Sequence, residues 1–478
     1  MLRQSAALLT MVFLAGCGWF GSKDPGQTIP TEFQGAVAAD EPRAALVARD
    51  ILTQGGTAAD AAVALAFAMT ATLPSRVSLG GGGACLARAG RPREPNVIAI
   101  GPINRPAPIQ TDAITFLPTP SSNGQVGMPG LLRGLAMVHA RYGRLRWEQV
   151  VAAGENIARF GAPMSRALAR DLAEAGVTFT SPNGQPAKEG DAVAFPELAG
   201  TLSVVRSKGA AEFYTGDIGR AYARGLDGAI DEAALRAYVP ELSLPRTAEL
   251  GNDVANFTRT AGGAASVALL AAAEGDRRLR RSDPNERSAA IADAVVKAGL
   301  ARPGGDDDPG TTGFVVVDKR GGAVACSLTM GHLFGARRAV PQLGVVAAAP
   351  VAPDSPAALS VAASLVTNEN VVQLIGGAAG GGDAGAPEAL VEILVHAVIG
   401  EQPVQQAWST FNARHELPRT PPSSGAVAPT IAQATTPARV NAVVCAGGLP
   451  NGPDTCSAQA DPRGAGLATL VSAPIAKR

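Results

Sequence analysis

Apolar and polar positions fall into blocks along this chain, and one block organises the rest. Thr311 and Thr312 stand between an acidic, Gly/Pro-containing stretch, 306–310, and the β-branched run Val315, Val316, Val317. That run reads as a buried strand and residues 323–329 as its partner. Asp318-Lys319-Arg320-Gly321-Gly322 supplies turn residues between them, which predicts a β-hairpin. Upstream, 42–54 places Val47, Ala48, Ile51 and Leu52 on one helical face and stops at Gly55-Gly56. Thr57-Ala58-Ala59-Asp60 has the form of a capping box for a second helix to Met69, apolar almost all round and therefore buried. Further helices are expected over 131–141, 147–159 and 286–298, and within 211–238 and 257–273. Strand-like runs cover 98–103, 344–349, 362–367 and 371–375. The last leads into a glycine-rich turn, 376–383, before a helix opened by Pro387 and closed at Gly400. Residues 416–440 read as a loop.

Composition narrows the class. A chain of 478 residues with 46% hydrophobic and 17% charged positions is globular and can bury a large core. Lys+Arg and Asp+Glu are both 41, so no global field favours nucleic acid. Arg277-Arg278-Leu279-Arg280-Arg281 reads as a solvated loop edge. Only 4 histidines and no Cys-x-x-Cys pair argue against a metal centre. Gly80 to Gly83 could cradle an anion through backbone N–H groups. No Gly-Lys-Ser/Thr follows, however, and the spacing is not that of a dinucleotide loop, so no cofactor is expected. Cys85 and Cys326 lie in apolar runs and read as buried small hydrophobes. Cys445 and Cys456 flank a Gly/Pro/Asn loop and could close it as a disulfide.

The N-terminus reads as an export signal over 1–17, too short to remain as a membrane helix. Its end, Leu14-Ala15-Gly16-Cys17, resembles the bacterial lipoprotein signal, which implies lipidation of Cys17 and a membrane partner through that anchor. The expected location is the periplasmic side of a bacterial membrane. Residues 18–34 would form a tether.

The candidate chemistry sits at Thr311. A threonine held at the mouth of a buried strand could attack the carbonyl of Gly310, cut the chain and gain a free α-amine to serve as its own base. Thr before a strand is also ordinary β-propensity. Arg105, between a strand end and two prolines, is placed to grip a carboxylate. The glycine turn at 376–383 could offer an oxyanion hole, or meet only a need for positive φ.

Several pieces together resemble the γ-glutamyltranspeptidase family. They are Ile51 through Ala64, Gly80 to Gly83, Val126-Gly127-Met128-Pro129-Gly130 and Phe213-Tyr214-Thr215-Gly216. To these add Gly310-Thr311-Thr312 with Val316-Val317-Asp318, Gly377-x-x-Gly380-Gly381, and Asp461-Pro462-Arg463. The resemblance implies an α/β (α+β) fold, a four-layer αββα sandwich of the N-terminal-nucleophile hydrolase type. It implies self-cleavage between Gly310 and Thr311 into a large fragment, 35–310, and a small one, 311–478, which stay together as a heterodimer. Thr311 would be the nucleophile, Thr329 its supporting hydroxyl, Gly380 and Gly381 the oxyanion-hole donors, and Arg105 the carboxylate ligand. The activity implied is γ-glutamyl transfer or hydrolysis of a small amide substrate through an acyl-threonine ester.

The chain departs from that pattern where the family reads glutamate. Gly313 stands in place of His and Gly331 in place of Asn. Ala347-Ala348-Ala349-Pro350-Val351 replaces the polar stretch that holds the substrate amine, and only Ser360 remains of a Ser-Ser pair. A site loses much of its affinity when such hydrogen-bonding partners go. Two alternatives therefore stay open: a catalytically weakened envelope binding protein, and an amidase of changed acyl specificity.

Overall fold

The computed structural model describes residues 31–91, 109–181, 183–300, 308–415 and 438–474. Cys17 and residues 18–30 of the expected tether therefore lie outside the described residues, as do Arg105, the strand expected over 98–103 and most of the 416–440 loop; residues 31–34, expected as the end of the tether, are instead the start of a β-strand. In chain order the sheet strands are β1 (Thr31–Ala39), β2 (Gly82–Arg88), β3 (Thr111–Phe116), β4 (Glu241–Ser243), β5 (Arg246–Leu250) and β6 (Asp253–Phe257). They continue with β7 (Thr311–Asp318), β8 (Ala323–Thr329), β9 (Ala363–Asn368), β10 (Gln373–Gly381), β11 (Arg439–Leu449), β12 (Cys456–Gln459) and β13 (Leu467–Pro474). They make a seven-stranded sheet in the order β13-β1-β7-β8-β2-β3-β4 and a six-stranded sheet in the order β12-β11-β10-β9-β6-β5. All of this lies in one compact unit, Phe33–Ser472, apart from the outer ends of β1 and β13.

The expected hairpin is present. β7 and β8 pair antiparallel from Val317↔Ala323 to Thr311↔Thr329, so the register sets the two threonines directly opposite one another. Asp318 closes the turn, its Oδ1 accepting from the N–H groups of Arg320 (2.9 Å) and Gly322 (3.0 Å). Its Oδ2 accepts from Ala58 N, tying the turn to a helix start. Strand alternation then divides the core. Val315 and Val317 face the second sheet, among Leu365, Ala379 and Val443. Phe314 and Val316 face a helical layer that includes α1 (Pro42–Thr53), α2 (Ala58–Thr72), α3 (Leu131–Tyr142) and α4 (Trp147–Phe160). α5 (Arg166–Ala175) and α6 (Pro196–Lys208) add to that layer. On the far side, α7 (Ala261–Ala273), α8 (Pro284–Lys297), α9 (Ala386–Leu394) and α10 (Val404–His415) cover the six-stranded sheet through Leu269, Ile291, Leu390 and Trp408. The result is the expected four-layer αββα sandwich.

Local signals explain the helices around the site. In α2 the capping box forms as read, with Thr57 Oγ1 accepting from Asp60 N and Asp60 accepting from Thr57 N. The helix runs three residues beyond the expected Met69, to Thr72, and is buried throughout.

Three further expectations change. Residues 376–381 are not a turn but the second half of β10, paired with β9 and β11. Glycine serves there to let backbones approach: a Cβ on Gly381 would meet Thr312 Cα at 2.8 Å, and only Gly382, beyond the strand, needs positive φ. Gly80 to Gly83 likewise opens no anion cradle. Added Cβ atoms at Gly80, Gly82 and Gly83 would strike the carbonyl oxygens of Val346, Phe116 and Ser327 at 2.2–2.4 Å. Finally, Cys85 and Cys326 are not free thiols. They are opposite residues of β2 and β8 and form a disulfide. A second cross-strand disulfide joins Cys445 to Cys456, the pairing read from their spacing.

Candidate active site

Thr311 opens β7 and is fully buried in the uncut chain. Its Oγ1 lies 3.0 Å from Thr329 Oγ1 and 2.7 Å from Ser360 Oγ, the latter at the end of the short helix Pro356–Ser360. Thr329 donates to Pro309 O (3.1 Å), so its lone pair accepts the Thr311 proton. Ser360 Oγ lies within reach of both Thr311 Oγ1 and Ala357 O (2.8 Å), and either hydroxyl of the Thr311–Ser360 pair can be the donor. Thr329 Oγ1 also accepts from Gly331 N at 3.0 Å, which fixes its rotamer.

The bond before Thr311 is held as tightly. Gly310 has φ +59°, and a Cβ there would meet His332 O at 2.3 Å, so only glycine fits. The Gly310 carbonyl accepts from Met330 N at 3.0 Å. Thr311's own carbonyl accepts from Gly382 N at 3.1 Å and from Arg76 Nη1 at 2.9 Å. Arg76 lies between α2 and β2. It binds Asp171 of α5 through Nε (2.7 Å) and Nη2 (2.9 Å), and Asp308 through Nη1 (2.9 Å) and Nη2 (2.5 Å). Burial alone would lower the Arg76 pKa, but the two carboxylates outweigh it and hold the guanidinium well above its usual range. Asp308 Oδ1 accepts from Gly310 N at 2.8 Å, curling the loop onto the scissile bond.

On the other side of β7, Asp40 at the end of β1 accepts from Thr312 Oγ1 (2.7 Å), Gly313 N (3.3 Å) and Asn441 Nδ2 (2.9 Å). Asn441 also donates to Gly313 O, and its own Oδ1 accepts from Asp461 N. The tail signature at Asp461 thus acts through Asn441 on the strand that carries Thr311.

The structure brings Thr311, Thr329, Gly310 and Gly381 together. Gly380 is turned elsewhere: its N–H is donated to Ala362 O at 2.7 Å, which removes it from the anion-binding role the resemblance implies in the uncut chain. The N–H groups that reach this region are those of Met330 and Gly382. Residues the sequence reading did not single out include Asp40, Arg76, Asp171, Met330 and Asn441. Asn441 and Arg76 carried a usable signal, a lone polar residue within or beside apolar runs. Asp171 carried none, because α5 has an ordinary amphipathic pattern. Next to the loop, an open cleft of about 540 Å³ is lined by Asp308, Glu174, His332, Arg337 and Ala349, among others. Among the described residues no cluster of His, Cys, Asp and Glu could hold a metal ion.

The chain is similar to several known proteins. The chain is 30% identical over 234 residues to a glutathione hydrolase proenzyme of Bacillus subtilis, covering 44% of this chain and 40% of that protein. It is 29% identical over 374 residues to the glutathione hydrolase proenzyme of Escherichia coli, covering 63% of each. The matched stretches thus span less than two thirds of the length of these relatives. In structure it superposes on a cephalosporin acylase from Bacillus halodurans with a TM-score of 0.65 and 18% identity, covering 96% of this chain and 99% of that one, which shows a shared fold. The family model for gamma-glutamyltranspeptidase matches residues 44–298, more than half the chain. By that match this chain belongs to the gamma-glutamyltranspeptidase family.

Proposed function

We propose that this protein is a self-processing N-terminal threonine hydrolase that forms an acyl ester on Thr311 and passes the acyl group to water or an amine. The observation that carries this reading is the Thr311 hydroxyl set between Thr329 and Ser360, beside a Gly310 carbonyl that already accepts a hydrogen bond from Met330 N–H. Attack of Oγ1 on the Gly310 carbonyl carbon puts negative charge on that oxygen, where the Met330 N–H stabilises it. The Gly310–Thr311 C–N bond then breaks, the hydroxyl proton passes to the Thr311 nitrogen, and water hydrolyses the ester. Thr311 is left with a free α-amine to act as its general base. In the working cycle an amide substrate would acylate the same oxygen and release its amine, its carbonyl taking the place of the Gly310 carbonyl beside the Met330 N–H. Family membership and the Gly310-Thr311-Thr312 sequence support this reading.

The glutamate-specific contacts are those least supported. Ala347, Ala348 and Ala349 are buried and apolar where the resemblance calls for groups that bind an ammonium. This favours an acyl group without an α-amine over a strict γ-glutamyl donor. We further propose export and lipid anchoring through Cys17, supported by the signal over 1–17 and by two disulfides, which persist in oxidising compartments.

Intact-mass measurement and a denaturing gel of the purified protein, both after reduction of the disulfides and beside Thr311→Ala, test these statements together. Two fragments, the smaller beginning at Thr311, are expected from the parent and one chain from the variant. The larger fragment should begin at Cys17 and carry the added mass of lipid. A parent that stays whole removes the enzymatic reading, and an unmodified N-terminus removes the anchor.

A further inference from the structure

Arg76 spends its guanidinium on two carboxylates with different fates. The inner edge, Nε and Nη2, binds Asp171, which also accepts from Ser75 Oγ at 2.7 Å. Asp171 belongs to α5 and stays in place whether or not the chain is cut. The outer edge, Nη1 and Nη2, binds Asp308 with both oxygens, a fork-to-fork pair. Asp308 lies two residues before the proposed cut. In the acyl-transfer reading the substrate carbonyl takes the place of the Gly310 carbonyl, so turnover requires Gly310 to withdraw, and Asp308, which accepts from Gly310 N, to leave with it.

That departure would expose a buried guanidinium edge with no carboxylate on it. The Arg76 side chain is 1% exposed. Arg439 is the second cation beside Asp308, its Nη2 3.9 Å from Asp308 Oδ2, and its Nε has no hydrogen-bond partner among the described residues. Burial first, then repulsion from Arg76, lowers the Arg439 pKa. Asp40 does not replace the lost partner directly, because its oxygens serve Thr312, Gly313 and Asn441. Glu174 shares the cleft wall with Asp308, and its carboxyl is pushed up by burial and by Asp308 itself. Asp171 stays on the inner edge of Arg76, so Asp308 leaves behind one open guanidinium edge beside a second buried cation, Arg439, and an incoming carboxylate would fill that place. A carboxylate arriving there restores the charge that the uncut chain already carries.

We propose that the outer edge of Arg76, with Arg439, is a carboxylate subsite of the processed protein, and that Asp308 occupies it in the uncut chain as an internal stand-in. The acyl group delivered to Thr311 then carries a carboxylate of its own. It must be short, because the same Arg76 Nη1 that binds Asp308 also binds the carbonyl of Thr311. This deepens the acyl-transfer reading and rests on Thr311 as the nucleophile. It assigns carboxylate recognition to residues other than Arg105, and with Ala347 to Ala349 it describes a site that reads an acid without reading an α-amine.

Acetate is the test probe, since it is the fragment that Asp308→Ala removes. Melting curves would be recorded for the full chain as Thr311→Ala and as Thr311→Ala with Asp308→Ala, in acetate against chloride at equal ionic strength. The double variant should gain about 1–2 °C at acetate concentrations near ten times Kd, and Thr311→Ala alone should gain nothing. Adding Arg439→Gln to the double variant should weaken acetate binding at least tenfold. Equal behaviour of the two uncut variants, or no shift in the double variant, overturns the proposal. Processed wild-type protein needs no substitution and should show the same acetate shift. Its absence there, as expected if Glu174 closes onto Arg76 or the cut end stays bound, also overturns it. Neither uncut variant depends on cleavage. Acetate binding by the double variant with a wild type that never cuts would sink the acyl-transfer reading and leave the subsite standing.

Discussion

At Thr311 the decisive feature is a network of three hydroxyls. Thr329 sends its proton to Pro309 O and accepts from Thr311, while Ser360 Oγ lies 2.7 Å from the same Thr311 oxygen. Ser360→Ala removes one of the two partners of Thr311 and leaves Thr329 in place. Loss of one such hydrogen bond should slow self-cleavage by about three- to tenfold, read as fragment appearance on a time course. Asp383, just past Gly382, supplies a pH signature. Its carboxyl is pushed up to about 6 by burial, opposed by the hydrogen bond from Gly385 N and reinforced by Asp308. The folded protein therefore holds this proton more tightly than the unfolded chain does. The residue's contribution to stability is full below pH about 4 and is lost as pH rises through about 6. Asp383→Asn keeps an oxygen for Gly385 N and should raise the melting temperature at pH 7 but not at pH 4. Titration over that pH interval sets an upper bound of about 3 kcal/mol on the gain.

At the scale of elements, the hairpin β7–β8 was legible because its β-branched run, turn residues and partner run are contiguous in sequence. The helices α1 and α2 were legible through periodicity and a capping box. The second half of β10 was not. Its glycines look like a turn locally, and only the approach of the other sheet explains them. Gly313 makes the same point: an added Cβ would lie 2.5 Å from Ala379 O and 3.0 Å from Gly380 O. The departure from His at this position thus has a steric cause, since the facing strand leaves no room for a side chain. Gly313→His, made in the uncleaved Thr311→Ala background, should destabilise the fold by about 3 kcal/mol or more in urea unfolding. A neutral result would mean that the two sheets separate more easily than their packing implies.

For the whole molecule, the sandwich explains how a site assembled from distant segments is held. Asp40 ends β1, Asn441 lies on β11 and Thr311 opens β7, so both sheets contribute to one polar cluster. Such long-range pairing is the part that sequence patterns do not carry, as the missed roles of Asp40 and Asp171 show. The pairing of Cys85 with Cys326 was hidden for the same reason. Each lies in an apolar run, and nothing in their separation of 241 residues announces that β2 and β8 are neighbours. The bridge also straddles residue 310. If the backbone is cut there, Cys85 goes to one product and Cys326 to the other, and the sulfur bridge becomes the sole covalent bond between them. The mature protein would then be two polypeptides but one molecule, unable to lose a subunit on dilution. Without reductant it should migrate as a single full-mass band, and with reductant as two. Activity should outlast dilution in the first condition and become dependent on concentration in the second.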